Sequence, residues 1–218
     1  MAQSDKGIQP KKRNILKYGI IGLISVFLLY HSIHVESLDS RAAEHADGDI
    51  TKLADAYFSE TLPGALEKAL TPCPLLRALS GEDSDWEAYG KQTNIGNRYY
   101  FLVRGEGVVQ KIEDSFVRVA FGEGEEACSL RLATVYIFGN EIRDASGELR
   151  LQEVDELTKF NTVSELINKK VRDEIIPDFL KDVQVGQKIQ LAGAFALNRR
   201  IGVTEDFEVM PIQIKIID

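Results

Sequence analysis

Asn140-Glu141-Ile142-Arg143-Asp144 sets two carboxylates, a guanidinium and an amide within five residues. Groups of this kind can hold a polar ligand through charge-assisted hydrogen bonds. They can equally bind one another, Arg143 against Asp144 or Glu141, and fix a loop. Tyr99, Tyr100 and Phe101 form a second cluster, able to stack on a sugar or a base; the competing reading is core with one exposed ring. Tyr99, Tyr100, Arg143 and Asp144 are therefore the candidate ligand-binding residues. A hydrolase would need a nucleophile or a pair of carboxylates flanking the scissile bond. Glu106 and Asp144 are the least unsuitable pair, and no residue is assigned a catalytic role.

The remaining reactive residues point away from catalysis. The three histidines, His31, His34 and His45, fall near the N-terminus, in or beside an apolar segment, so none is placed as a base or metal ligand. Gly105-Glu106-Gly107 lacks the third glycine of a dinucleotide fingerprint and lies inside a strand-like run. Glu123, Glu125 and Glu126 lack the ordered carboxylates of an EF-hand and read as a solvated hairpin loop. No metal and no cofactor is expected. Cys73 and Cys128 are the two cysteines; in an exported protein they could pair, and otherwise they are two buried thiols.

The elements that must position these residues follow from hydrophobic periodicity. Residues 49–96 form a helical segment, with Pro63 at a helix start, Pro72 and Pro74 as breaks, and Trp86 in a last short helix. Residues 97–218 form a β-rich domain. Tyr99–Ile112 is a long strand bent at its glycines, and Val117, Val119 and Phe121 form its hairpin partner. Cys128–Phe138 alternates as a third strand, and 140–158 reads as loop. Asn161 or Thr162 opens a helix, Thr162 with Glu165 fitting a capping box; its stripe is Val163, Ile167, Val171, Ile175 and Phe179, and Pro177 should kink or end it. Strands at 189–197 and 209–217 follow, and Pro211 in the last implies an edge or a bulge. The expected class is α+β: an N-terminal transmembrane helix, a small helical segment, and an OB-like five-stranded barrel with one helix between strands 3 and 4.

Charge is asymmetric. Residues 1–17 carry five of the 26 basic side chains and one of the 34 acids, leaving 21 basic against 33 acidic beyond, a net of −12. An acidic body of that size is repelled by phosphate backbones, which excludes nucleic acid as a partner. Residues 15–33, nineteen in number, are apolar enough to span ~28 Å as a helix, about the thickness of a bilayer core. The basic tail (1–14) precedes this segment and an acidic tether (34–48) follows it. The positive-inside rule then puts the tail in the cytoplasm and the body in the periplasm, on a single-pass, uncleaved signal anchor. The alternatives are a cleaved signal peptide, for which Val35-Glu36-Ser37 is a poor site, and a lipoprotein signal, for which Tyr30, His31 and Ser32 stand where a cysteine is needed.

YYFLVRGEGVV (99–109), FGNEIRDA (138–145), KFNTVSELIN (159–168) and VGQKIQLAGAFALN (185–198), with YFSETLPGALEKA (57–69), resemble in order an uncharacterised family of predicted periplasmic lipoproteins. The resemblance implies a cell-envelope protein of unknown activity. Genes of that family commonly stand beside sugar ABC-transporter components, which implies an accessory role in sugar uptake with a transporter component as partner. The chain departs from the family in lacking the lipidated cysteine. The reading is a non-enzymatic, membrane-anchored accessory or binding protein; the alternatives are an envelope enzyme of hydrolase type or a purely structural envelope protein.

Overall fold

The apolar run at Tyr99 becomes β1 (Arg98–Ile112), fifteen residues on which the whole sheet closes. The computed structural model describes residues 48–81, 84–93, 96–151, 154 and 156–217. The expected basic tail, membrane segment 15–33 and tether as far as residue 47 lie outside them; among the described residues no helix is long and apolar enough to cross a membrane. β2 (Phe116–Phe121), β3 (Cys128–Ala133), β4 (Lys188–Asn198) and β5 (Glu208–Ile217) complete a closed barrel in the order β1-β2-β3-β5-β4. β1 pairs with β4 from Arg98 to Val108 and with β2 from Gly107 to Ile112. A strand that serves two partners in succession must bend between them. A Cβ on Gly107 would lie 2.6 Å from the Ala120 carbonyl oxygen, so only glycine allows that approach.

The five-residue buried stretch of β1 is buried on both faces, which explains why it reads as an unbroken apolar run. Tyr99, Phe101 and Val103 point into the barrel, where Phe101 stacks on Phe195 and Trp86 meets Tyr99 and Phe101 edge-on. Tyr100 and Leu102 point outward into a second apolar layer. Four helical elements supply that layer: α1 (Gly48–Ala56), α2 (Leu62–Leu66), α5 (Glu141–Ser146) and α6 (Leu157–Lys170) with its continuation. Two more helices, α3 (Pro72–Leu79) and α4 (Trp86–Tyr89), belong to the interior layer. On β4 the outward residues Ala192 and Ala194 are small, so helices can lie close to the sheet.

Three expectations are corrected. The third strand stops at Ala133, not Phe138. Beyond it Ile137 is buried while Tyr136 and Phe138 are exposed, because the chain peels off toward α6 and its continuation, where Asn168 donates to the Gly139 carbonyl (2.9 Å) and Arg172 to that of Ile137 (2.6 Å). Secondly, strands 3 and 4 are joined by more than one helix. α5 occupies part of the expected loop and ends on Gly147 at φ 66°, a left-handed cap. Thirdly, α6 starts at Leu157, so Thr162 caps nothing and donates instead to the Thr158 carbonyl inside the helix (3.0 Å).

Pro177 does not end the helix. A π turn (Val171–Ile175) leads straight into α7 (Ile176–Asp182). The same device appears upstream, where a π turn (Tyr57–Thr61) precedes Pro63 in α2. A wider turn absorbs the missing N–H and the ring clash with the preceding turn, and the helix carries on. It also suits the stripe: a four-residue spacing drifts around a 3.6-residue helix, and one wide turn brings Val171 and Phe179 back to the buried side. Pro211 sits where the β4–β5 register shifts, opposite Gly193, so Ile212 is the extra residue of a bulge.

Candidate functional site

Adjacent helical residues point about 100° apart, so Arg143 and Asp144 on α5 need outside help to meet. Arg143 Nε donates to Asp144 Oδ1 at 2.8 Å, and both side chains are below 5% exposed (4% and 3%). The help comes from two other elements. Arg143 Nη1 donates to the Phe160 carbonyl (2.9 Å), and its guanidinium lies 3.6 Å from the centre of the Phe160 ring. Thr93 Oγ1 donates to the second oxygen of Asp144 (3.2 Å). Ser146 Oγ donates to the Arg143 carbonyl (2.8 Å), so it accepts from the Tyr57 hydroxyl. Burial pushes the Tyr57 phenol up to about 12. Of the two readings of this cluster, the structure shows the mutual pairing: an enclosed knot joining the first π turn, the loop before β1, α5 and α6. Glu141, its neighbour, pairs instead with Arg98.

Tyr99 and Tyr100 part company at the strand. Tyr99 faces the barrel interior and donates to Glu87 Oε1 (3.2 Å), so it offers no free ring face. Tyr100 faces outward and lines a cleft of about 210 Å³ with Lys68, Tyr89, Lys91 and Glu148. Burial raises its pKa, with the Asp144 carboxylate adding to the effect. Lys91 is placed there by backbone pairing, its N–H and carbonyl each bonded to Tyr100 at 2.8 Å. The cleft offers aromatic surface, two ammonium groups and a carboxylate, the chemistry of a small polar ligand. Of the four candidate ligand residues, Tyr100 lines this cleft, and Tyr99, Arg143 and Asp144 do not. Glu106 is exposed on the outward face of β1, whereas Asp144 is enclosed. Glu123, Glu125 and Glu126 are exposed around a short 3-10 turn, Glu126 facing Arg77 at 3.4 Å; no cluster fit to hold a metal occurs among the described residues.

Cys73, in the first turn of α3, and Cys128, which opens β3, form a disulfide with a Cα separation of 5.4 Å. It ties the helical segment to the β2–β3 hairpin.

A family model described as Predicted periplasmic lipoprotein (DUF2291) matches residues 23–215. The chain belongs to this family. The match runs from within the apolar N-terminal segment almost to the end of β5, and so begins earlier than the segments that carry the resemblance. Among solved structures, an OB-fold protein from Thermotoga maritima is similar at 23% identity and a TM-score of 0.66, over 77% of this chain and 97% of that one. At that identity the likeness concerns the fold, and it agrees with the closed five-stranded barrel. No curated protein matches the chain.

Sequence reasoning missed the partners of the knot, Tyr57, Thr93 and Phe160, and the cleft residues Lys68, Tyr89 and Lys91. Tyr57 lies 86 residues from Arg143 and Thr93 lies 51 from Asp144, so no local pattern connects them. One signal was available for the cysteines: the chain has two, and a single pairing exhausts them.

Proposed function

We propose that this family member is a non-enzymatic binding or assembly module, held at the periplasmic face of the inner membrane by residues 15–33 and serving as an accessory to a sugar ABC uptake system. The observation that carries the binding reading is the arrangement at Tyr100: an open cleft with Tyr89, Lys68 and Lys91 beside a charged pair already saturated by protein. An envelope hydrolase built on Glu106 and Asp144 is disfavoured, since both Asp144 oxygens are engaged by Arg143 and Thr93. The disulfide supports an oxidising compartment. It also bears on anchoring. Both cysteines of the sequence are bonded to each other, so neither is left to carry a lipid, and the apolar segment takes over that role.

Protein purified from solubilised membranes tests the reading. Recovery of a transporter permease or binding protein with the wild-type chain, reduced for Tyr100→Ala combined with Lys91→Glu, supports it. A deletion strain that takes up every sugar tested at the wild-type rate removes the uptake role. Protease added to intact spheroplasts should cut the β-rich domain; resistance before lysis and cleavage after it would refute the topology.

A further inference from the structure

Backbone groups along a strand alternate between its two neighbours, so an unmatched amide can be located by parity. In β1 the odd residues serve β4: Val109 donates to the Gln187 carbonyl (2.9 Å) and accepts from the Gly186 amide (2.8 Å). The even residues face the other way, toward the side that β2 leaves open before Gly107. Two pieces of chain cover that side. Lys91 exchanges both bonds with Tyr100, and Leu70 donates to the Leu102 carbonyl and accepts from the Arg104 amide. The Leu102 N–H lies between these bridges and meets no acceptor among the described residues. An antiparallel ladder continued from Lys91 would set the Tyr89 carbonyl opposite it. Tyr89 instead ends α4, which closes with Gly90 bonded to the Trp86 carbonyl (2.9 Å). The cover parts from the strand at that point, and the Tyr100 cleft opens there, with Leu70, Tyr89 and Leu102 in its wall. Leu102 is buried, and a buried amide without a partner is rare in folded proteins.

The side chains around this donor are unequal in charge. Lys68 and Lys91 bring two ammonium groups and Glu148 one carboxylate. Lys68 stands 3.7 Å from Glu148, a loose and exposed pair. Lys91 makes no ion pair among the described residues. Its stem lies across the cap of α5, where a Cβ on Gly147 would meet Lys91 Cγ and Cδ at 3.5 Å. The neighbouring Arg143–Asp144 and Arg98–Glu141 pairs are each neutral. One positive charge and one backbone donor are therefore left over. That surplus matches an anion of single charge; a phosphate monoester carries nearly two. Glu148 can only accept, so it favours a ligand with hydroxyl donors. Tyr89, 43% exposed, offers a flat apolar face. The cleft, about 210 Å³, is smaller than the ~300–1,000 Å³ of ordinary small-molecule sites, which limits the ligand to a single ring.

We infer that the Tyr100 cleft takes a sugar acid: one pyranose ring bearing one carboxylate. The carboxylate accepts from the Leu102 N–H and from the ammonium groups of Lys68 and Lys91. The ring lies on Tyr89, and its hydroxyls donate to Glu148. This assignment rests on the reading of the cleft as the binding site and deepens it, from sugars in general to acidic ones.

The full chain in lipid nanodiscs is titrated by calorimetry with D-glucuronate, D-galacturonate, D-glucose, D-glucose 6-phosphate and hexanoate, and hydrogen exchange of the Leu102 amide is followed in parallel. At least one uronate should bind about tenfold more tightly than each of the other three, and should slow exchange at Leu102. Lys91→Met keeps the stem and the backbone pairing; it should weaken that binding about tenfold, and Lys91→Arg should restore most of it. Glucose binding as tightly as the uronates overturns the assignment and leaves the cleft a binding site for neutral sugars. Tighter binding of glucose 6-phosphate or of hexanoate also overturns it, the first in favour of a dianion and the second of an apolar acid. Uronate binding that ignores Lys91→Met, or that leaves the Leu102 amide unprotected, places the ligand elsewhere and overturns it too. Should none of the five bind, the assignment falls together with the small-ligand reading of the cleft.

Discussion

Arg143 and Asp144 neutralise one another where water is excluded, and each would be a buried charge alone. Removing one member of such a pair costs about 3–5 kcal/mol, whereas replacing both with apolar residues of similar volume is often close to neutral. Arg143→Ala should therefore destabilise by about 3–5 kcal/mol in urea unfolding, and Arg143→Met with Asp144→Leu should recover most of the loss. A single and a double variant of equal stability would show that the pair is not enclosed. Tyr57 adds a pH signature. Its folded pKa of about 12 lies above the ordinary phenol value of 10.0, so the folded state holds the proton more tightly. The associated stability is complete below pH 10 and is lost as pH rises toward 12, by roughly 3 kcal/mol. Tyr57→Phe should flatten that alkaline fall in a melting-temperature profile; an unchanged profile would mean that the phenol ionises freely.

At the scale of elements, glycines separate close approach from mere helix-weakening. Gly193 lies against β5: a Cβ there would come 2.6 Å from Val209 Cγ1 and 2.7 Å from the Met210 carbonyl oxygen. Backbone cannot move aside cheaply, so Gly193→Ala should cost about 1–3 kcal/mol. Gly64 in α2 meets nothing within 4 Å, so Gly64→Ala should stabilise by up to about 1 kcal/mol. Chemical denaturation of the two variants checks both signs. A neutral Gly193→Ala would mean that the bulge beside Pro211 is looser than its register implies. The alternating strands and the helical stripe were legible because burial on one face imposes a period. The start of α6 and the end of β3 were not. Beyond β3 the chain is held by bonds from Arg172 and Asn168 to the carbonyls of Ile137 and Gly139, and the start of α6 carries no side-chain cap, so neither boundary leaves a local trace.

For the whole molecule, the Cys73–Cys128 bond closes a loop with a sequence separation of 55 and joins the helical segment to the barrel. By loop-closure entropy it contributes about 4 kcal/mol. For a domain of this size, reduction should lower the melting temperature by roughly 10 °C, read by calorimetry with and without reductant. A shift below the noise would mean that the two parts dock as firmly without the bond.

Composition and order sufficed for the barrel class, the acidic body and the family, since these depend on periodicity, charge count and the succession of segments, all properties of the linear chain. Which candidate residues are accessible did not follow. Tyr99 and Tyr100 are neighbours, yet one faces the interior and the other a cleft. The Arg143–Asp144 pair was legible as chemistry, but its enclosure required Tyr57, Thr93 and Phe160 to arrive from elsewhere. β5 likewise loses β3 as a neighbour beyond Val209 because β3 ends at Ala133. Burial and strand pairing are settled by what packs alongside, and only three-dimensional closure brings those neighbours in.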